Sequence, residues 1–155
     1  MNRTDKILLS ALLAGGCLAA QAQQLAFPDA QGWGRFATGA RQGGAVYHVT
    51  NLNDSGSGSL RDAISQPNRF IVFDVAGVIN IKDRLVFKNN LYIAGQTAPG
   101  EGITVYGNGV SFSGADNIIV RHMRFRMGHK GSSGKDAAGI ANGQNMIFDH
   151  CSFSW

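Results

Sequence analysis

The side chains that could do chemistry gather late in the chain. Arg121, Arg124, Arg126, Lys130 and Lys135 fall within one short stretch. Such a local excess of positive charge serves an anionic partner. His150 stands beside Cys151, which raises the question of zinc. Successive strand residues point to opposite faces, so these two do not share an ion. His122 and His129 add none of the usual zinc-ligand spacings. Cys151 reads instead as a small buried apolar residue, and His48 as packed in a first strand. Ser59 and Ser152 lack the His/Asp arrangement that activates a nucleophile. A glycoside hydrolase needs paired carboxylates. The chain has 10 acidic residues with a single glutamate, Glu101, and neither Asp136 nor Asp149 has a close acidic companion in sequence.

The composition restricts the elements that can position these groups. Of 155 residues, 44% are apolar and only 15% charged, with 21 glycines and 3 prolines. The charged share is well below the ~25% of ordinary domains, which argues against a coiled coil, a surface-helix bundle or a charged disordered tail. Glycine without proline, among many Val, Ile, Phe and Asn residues, points to short strands joined by tight turns. Collagen is excluded, because glycine has no three-residue period.

The first stretch reads as an address. Arg3 and Lys6 precede an apolar run, Ile7 to Ala20, and Ala20-Gln21-Ala22 follows. This is the layout of a signal peptide, with cleavage expected after Ala22 and residues 1–22 removed. Lipoprotein processing at Cys17 and a buried N-terminal helix are the alternatives. Without the leader, Cys151 is the only cysteine left, so the exported chain forms no internal disulfide. The expected location is periplasmic or extracellular, with no transmembrane segment after cleavage. Nucleic acid is not an expected partner, since an exported chain with no recognition motif has little use for it. An acidic polysaccharide or an anionic outer surface fits the positive net charge better.

Residues 23–68 read as an N-terminal segment and a capping helix. Phe27, Trp33 and Phe36 would pin an irregular Gly/Ala-rich stretch, and Ala45–Leu52 alternates as a strand. Ser59-Leu60-Arg61-Asp62 has the form of a helix start, and Pro67 ends that helix. From residue 69 to 155 strands follow without pause: 70–75, 78–81, 85–87, 91–94, 104–106, 110–112, 118–127 and 146–153. Within 118–127, Met123, Phe125 and Met127 alternate with His122, Arg124 and Arg126, placing apolar groups on one face and cations on the other.

A repeat organises these strands. Asn90, Asn117 and Asn145 each precede three apolar or aromatic residues, and the intervals between them are nearly equal. Those intervals fall within the about 22–30 residues that a coil of three strands and three turns takes in a parallel β-helix. Asparagine suits such a turn because it tolerates the left-handed conformation. A β-sandwich remains the alternative on pattern alone, since Asn108-Gly109 between alternating strands is a hairpin signal. In the solenoid reading, the short helix at 59–66 covers the first coil's open end. The chain stops at Trp155 in mid-strand, so the solenoid is expected to be truncated at its C-terminus.

Several motifs carry a family resemblance. Ala26-Phe27-Pro28 with Gly32-Trp33-Gly34, Val46-Tyr47-His48-Val49-Thr50-Asn51-Leu52 and Gly58-Ser59-Leu60-Arg61-Asp62-Ala63 resemble the N-terminal segment of bacterial pectate lyases of the parallel β-helix type. Ile93-Ala94-Gly95-Gln96-Thr97-Ala98-Pro99-Gly100, Ile119 to Gly128 and Met146-Ile147-Phe148-Asp149-His150-Cys151-Ser152 are similar to the same family, in the same order. The implied fold is all-β, a right-handed parallel β-helix of the pectin lyase type.

The resemblance implies secretion and calcium-dependent β-elimination of polygalacturonate or pectin, by a protein that is a monomer when complete. In that family an acid about one coil before the Asp-His signature contributes to calcium. Asp136, which precedes Asp149 in the chain, is the best candidate for that ligand, with a loop aspartate bonding its own turn as the plainer reading. Where the family often has a second acid, this chain has Gly134. Asp149 on the signature is the other candidate ligand, or a supporting hydrogen-bond acceptor. Lys135, Arg124 and Arg126 are candidate substrate contacts, with a solvated cationic strand face as the plainer reading of the arginines. Arg121 shares that strand. The family's catalytic arginine lies beyond the signature, so no residue of this chain is expected to be the base, and the chain alone is expected to be inactive. A non-catalytic β-helix that binds acidic polysaccharide is the alternative.

Overall fold

A computed structural model describes residues 23–131 and 133–155. The expected leader, residues 1–22, lies outside the described residues. The elements run β1 (Ala45–Val49), α1 (Leu60–Ala63), β2 (Arg69–Phe73), β3 (Gly77–Asn80), β4 (Leu85–Val86), β5 (Leu91–Ala94), a 3-10 turn (Gly95–Thr97), β6 (Ile103–Tyr106), β7 (Val110–Ser111), β8 (Asp116–Arg121), β9 (Met123–Arg126), β10 (Ala138–Gly139), β11 (Gln144–Asp149) and β12 (Ser152–Ser154). Every strand pairing is parallel. Three sheets result, with orders β1-β2-β5-β8-β11, β3-β6-β9-β12 and β4-β7-β10. From β2 onward the chain visits them in rotation, one strand per sheet per coil. That is the parallel β-helix the asparagine spacing points to. The hairpin alternative fails at Asn108-Gly109, which turns the chain from β6 into β7 in a different sheet.

Stacking of like on like builds the interior. Ile71, Ile93, Val120 and Phe148 occupy one inward column of the five-stranded sheet, and Ile79, Val105, Phe125 and Phe153 one column of the four-stranded sheet. Phe87 lies over Phe112 with ring centroids 4.2 Å apart, and Phe125 over Phe153 at 5.0 Å. Each such pair adds about 0.5–1.5 kcal/mol beyond area burial. Met123, Phe125 and Met127 are buried as their alternation predicts.

The corners are where the strand boundaries shift. The expected strand 118–127 is broken at His122, and 146–153 is broken at His150 and Cys151. Both histidines are left-handed, with φ of 54° and 51°. The chain needs this bend to pass from the five-stranded to the four-stranded sheet. The other corner of the five-stranded sheet is made by asparagines. Asn68, Asn90, Asn117 and Asn145 have φ between 56° and 60°. Asn117 Nδ2 donates to Asn90 Oδ1 at 2.5 Å, and Asn145 Nδ2 to Asn117 Oδ1 at 3.1 Å. Asn90 Nδ2 donates in turn to Asn68 Oδ1. The ladder therefore begins one coil earlier than the repeat suggests.

The first coil is closed as expected. Ser59 caps α1, its hydroxyl accepting from the Asp62 N–H at 3.2 Å, and Leu60, Ala63 and Ile64 are buried against the core. α1 is shorter than the expected 59–66. The N-terminal segment takes a different job from capping. It lies over the outer, apolar face of the five-stranded sheet, where Ala26, Ala30 and Ala37 pack with Tyr92, Ala94 and Ile119. Gly34 sits so close that a Cβ there would come 1.9 Å from the Met146 carbonyl oxygen. Trp33 pins nothing, being 98% exposed. His48 is likewise exposed and faces Asp74 at 3.0 Å instead of packing inward.

Candidate functional site: a cationic sheet face and an Asp-His corner

The outer face of the four-stranded sheet is polar. Its outward rows are Val78, Thr104, Arg124, Ser152 and Asn80, Tyr106, Arg126, Ser154. Arg124 is aligned by its neighbour, with Nε donating to Thr104 Oγ1 at 2.9 Å and a terminal nitrogen to the Glu101 carbonyl. Arg126 is held by Ser152, through the carbonyl at 3.1 Å and the hydroxyl at 2.7 Å. Neutral groups thus hold both guanidinium groups, and among the described residues neither forms an ion pair with a carboxylate. Their charge is ordered and uncompensated, which suits recognition of carboxylates.

More cations flank this face. Lys82 and Lys130 line a cavity of about 320 Å³ with Asn80 and Gly107. Lys135 lines another of about 260 Å³ with His129, Ser133 and the exposed ring of Trp155. Lys135 and Asp136 are both exposed, in the loop from β9 to β10. The Asp136 backbone is fixed by close packing on Gly109, and Ala137 O accepts from the Val110 N–H at 2.9 Å.

Asp149 lies at a different corner, at the end of β11 where the chain leaves the five-stranded sheet. Its Oδ2 accepts from Arg121 Nε at 2.7 Å, and its Oδ1 is 2.8 Å from His150 Nδ1. Burial alone would raise the Asp149 pKa. The hydrogen bonds from Arg121 and His150 outweigh it and hold the carboxyl below its ordinary value. Arg121 also lies over the Phe27 ring at 4.2 Å, which ties the N-terminal segment to this corner. The His122 and His150 rings are stacked, with centroids 4.7 Å apart and planes 14° from parallel. Burial, then the charges of His150 and Arg121, lower the His122 pKa. Cys151 is partly buried on the core, and burial raises its thiol pKa.

The sequence-derived candidates therefore divide. Arg124 and Arg126 share one face, Lys135 and Asp136 share the loop from β9 to β10, and Asp149 stands apart from both. Among the described residues, the one group of three or more potential metal ligands is His122, Asp149 and His150, and it does not include Asp136. Spacing could have found the histidine pair. His122 and His150 are separated by the same step as Arg121 and Asp149, which is also the step from Asn117 to Asn145.

Comparison with known proteins agrees with this architecture. The chain is 66% identical over 131 residues to a probable pectate lyase C of Aspergillus oryzae, covering 84% of the chain and 31% of that protein. Proteins of the same name from Emericella nidulans and Aspergillus fumigatus match at 65% and 64% over equal spans. The chain thus spans 31% of the length of these curated relatives. No family model matches it. Among solved structures, the cedar pollen allergen jun a 1 superimposes with a TM-score of 0.60 at 20% identity, covering 78% of this chain and 41% of that one. Over 84% of its length the chain is similar to proteins named probable pectate lyase C, and it is built as a parallel β-helix that superimposes on the allergen's fold.

Proposed function

We propose that this chain forms pectate-binding coils of a secreted pectate lyase, which cleaves polygalacturonate by β-elimination. The observation that carries the reading is the 66% identity to a protein named as a pectate lyase, over coils whose outer face presents Arg124 and Arg126 without carboxylate partners. In the elimination a base takes the C5 proton of a galacturonate. The freed electron pair forms the C4–C5 double bond, and the C4–O bond breaks with protonation of the departing oxygen. Arg124, Arg126 and Lys135 are proposed to bind and align the uronate carboxylates.

Asp136 would be one protein ligand for calcium, and the ion's charge would favour the anion that develops on the uronate. Calcium takes about 6–8 oxygen ligands. Asp136 offers one exposed carboxylate, and it belongs to no group of three potential ligands among the described residues. These residues alone do not fit a complete calcium site. The proposal gives Asp136 one place in such a site and assigns Asp149 a supporting role, since both its oxygens are already engaged by Arg121 and His150. No residue of this chain is assigned as the base. We place the base and the remaining ligands in the part of the relatives' length that this chain does not span. Export through residues 1–22 belongs to the same proposal. Among the described residues no helix is long and apolar enough to cross a membrane.

Electrophoresis through gels containing polygalacturonate or a neutral glucan tests the binding half. Retardation by the acidic polymer alone, relieved in Arg124→Gln/Arg126→Gln, is expected. Equal mobility in both gels would refute it.

A further inference from the structure

We propose that His122 and His150 form a binding site for a borderline divalent transition-metal ion of the copper, nickel or zinc class, with Asp149 holding His150 in its ligating form. The fold makes this pair. Both histidines are left-handed corner residues one coil apart, so their rings leave the same corner in the same direction. One ligand atom from each of His122, Asp149 and His150 can be chosen so that all lie within 4.8 Å of one another. Metal–nitrogen bonds of ~2.0–2.1 Å place two donors of a tetrahedral ion about 3.3 Å apart. Binding requires the stacked rings, whose planes lie 14° from parallel, to turn relative to one another until their lone pairs converge. The His122 ring is the one that turns, since Asp149 holds the His150 ring and the terminal torsion of histidine is broad.

The surrounding groups favour metal over an idle stack. Asp149 Oδ1 accepts the Nδ1–H of His150 at 2.8 Å, and in the neutral imidazole this tautomer presents Nε2 as the donor atom. A carboxylate behind a ligating imidazole is the usual arrangement for fixing tautomer and ring direction. Arg121 holds the other carboxylate oxygen at 2.7 Å, so the carboxylate is oriented and its charge balanced. Two imidazoles select copper, nickel or zinc over calcium, which takes oxygen donors. The strand-alternation argument that separates His150 from Cys151 does not touch this pair, because its members come from different coils.

The test is titration of the untagged chain with Cu²⁺ and Ni²⁺, followed by calorimetry and by the imidazole NMR signals with Zn²⁺. One ion per chain is expected, not displaced by calcium. His122→Asn and His150→Asn suit the left-handed backbone, and each should weaken binding about tenfold or more, as should Asp149→Asn. His129→Asn should leave binding unchanged. In the unaltered protein Zn²⁺ should perturb the His122 and His150 signals together. Absence of stoichiometric binding, equal affinity in folded His122→Asn and His150→Asn, or perturbation of His48 or His129 alone would overturn the proposal.

Discussion

Arg121 Nε and Asp149 Oδ2 meet at 2.7 Å across one coil of the solenoid, with both side chains about one-fifth exposed. The pair sits where the five-stranded sheet ends, and the same guanidinium covers the Phe27 ring. One arginine therefore joins the N-terminal segment, the third coil and the fourth. Removing either partner leaves a partly buried charge without its hydrogen bond. Asp149→Asn and Arg121→Met should each lower stability by about 1–3 kcal/mol. Urea denaturation measures this, and the double variant should lose less than the sum of the single losses.

The asparagine ladder makes a sharper prediction about backbone and side chain. Asn117 Oδ1 accepts from the Thr38 N–H at 2.7 Å, while its Nδ2 donates to Asn90 and to Thr38 Oγ1. Its φ is 60°. Asn117→Gly removes the side-chain bonds but keeps the conformation accessible. Asn117→Ala adds the left-handed cost of about 1–2 kcal/mol. Thermal unfolding should rank the proteins as unaltered, then Gly, then Ala. Equal melting of the two variants would mean that the turn is not strained.

Gly34 is the point where the N-terminal segment touches β11. A methyl group there would meet the Met146 carbonyl at 1.9 Å, a contact that backbone cannot tolerate. Gly34→Ala should lift residues 23–44 from the sheet while leaving the coils folded. Limited proteolysis should then cut that segment first, with β-sheet circular dichroism retained.

A pH effect follows from Tyr47. Its hydroxyl donates to Asp62 Oδ2 at 2.6 Å and accepts from the Gly58 N–H at 2.9 Å, linking β1 to the capping helix. Burial first, and the bond to Asp62 second, raise its pKa above the ordinary 10.0. A raised folded-state pKa means stabilisation that is complete below the unfolded value and lost as pH rises through the folded one. Alkaline unfolding should therefore begin as Tyr47 ionises. Tyr47→Phe should remove this contribution to the alkaline limb of the stability profile.

Much of this fold can be read from residue order, and the gaps have physical causes. The asparagine period and the buried Met123, Phe125 and Met127 are visible because a solenoid repeats its environment every coil. Asn68 escapes notice because its coil is shorter than those that follow, which breaks the period. The break at His122 escapes because the polar–apolar alternation takes that residue in, with no glycine or proline beside it to mark the corner, and His150 likewise has neither beside it. β10, two residues long, is too brief to show a period. Trp33 reads as core by composition, but it projects outward from a segment that lies on the outside of a sheet. At the candidate site, charge type and strand alternation locate Arg124 and Arg126 on one face. The separation of Asp136 from Asp149 is invisible in a linear chain, since even the short stretch between them can turn a corner of the solenoid.

The most direct test of the pectate lyase reading is a hybrid protein. This chain would replace its matching 131 residues in the Aspergillus oryzae relative. Formation of unsaturated product from polygalacturonate is then followed by ultraviolet absorbance. The account predicts calcium-dependent product from the hybrid, none from this chain alone, and at least about a tenfold loss of kcat in the hybrid carrying Asp136→Ala. A folded hybrid with no activity beside an active parent would contradict it, as would turnover by this chain alone or full activity without the Asp136 carboxylate.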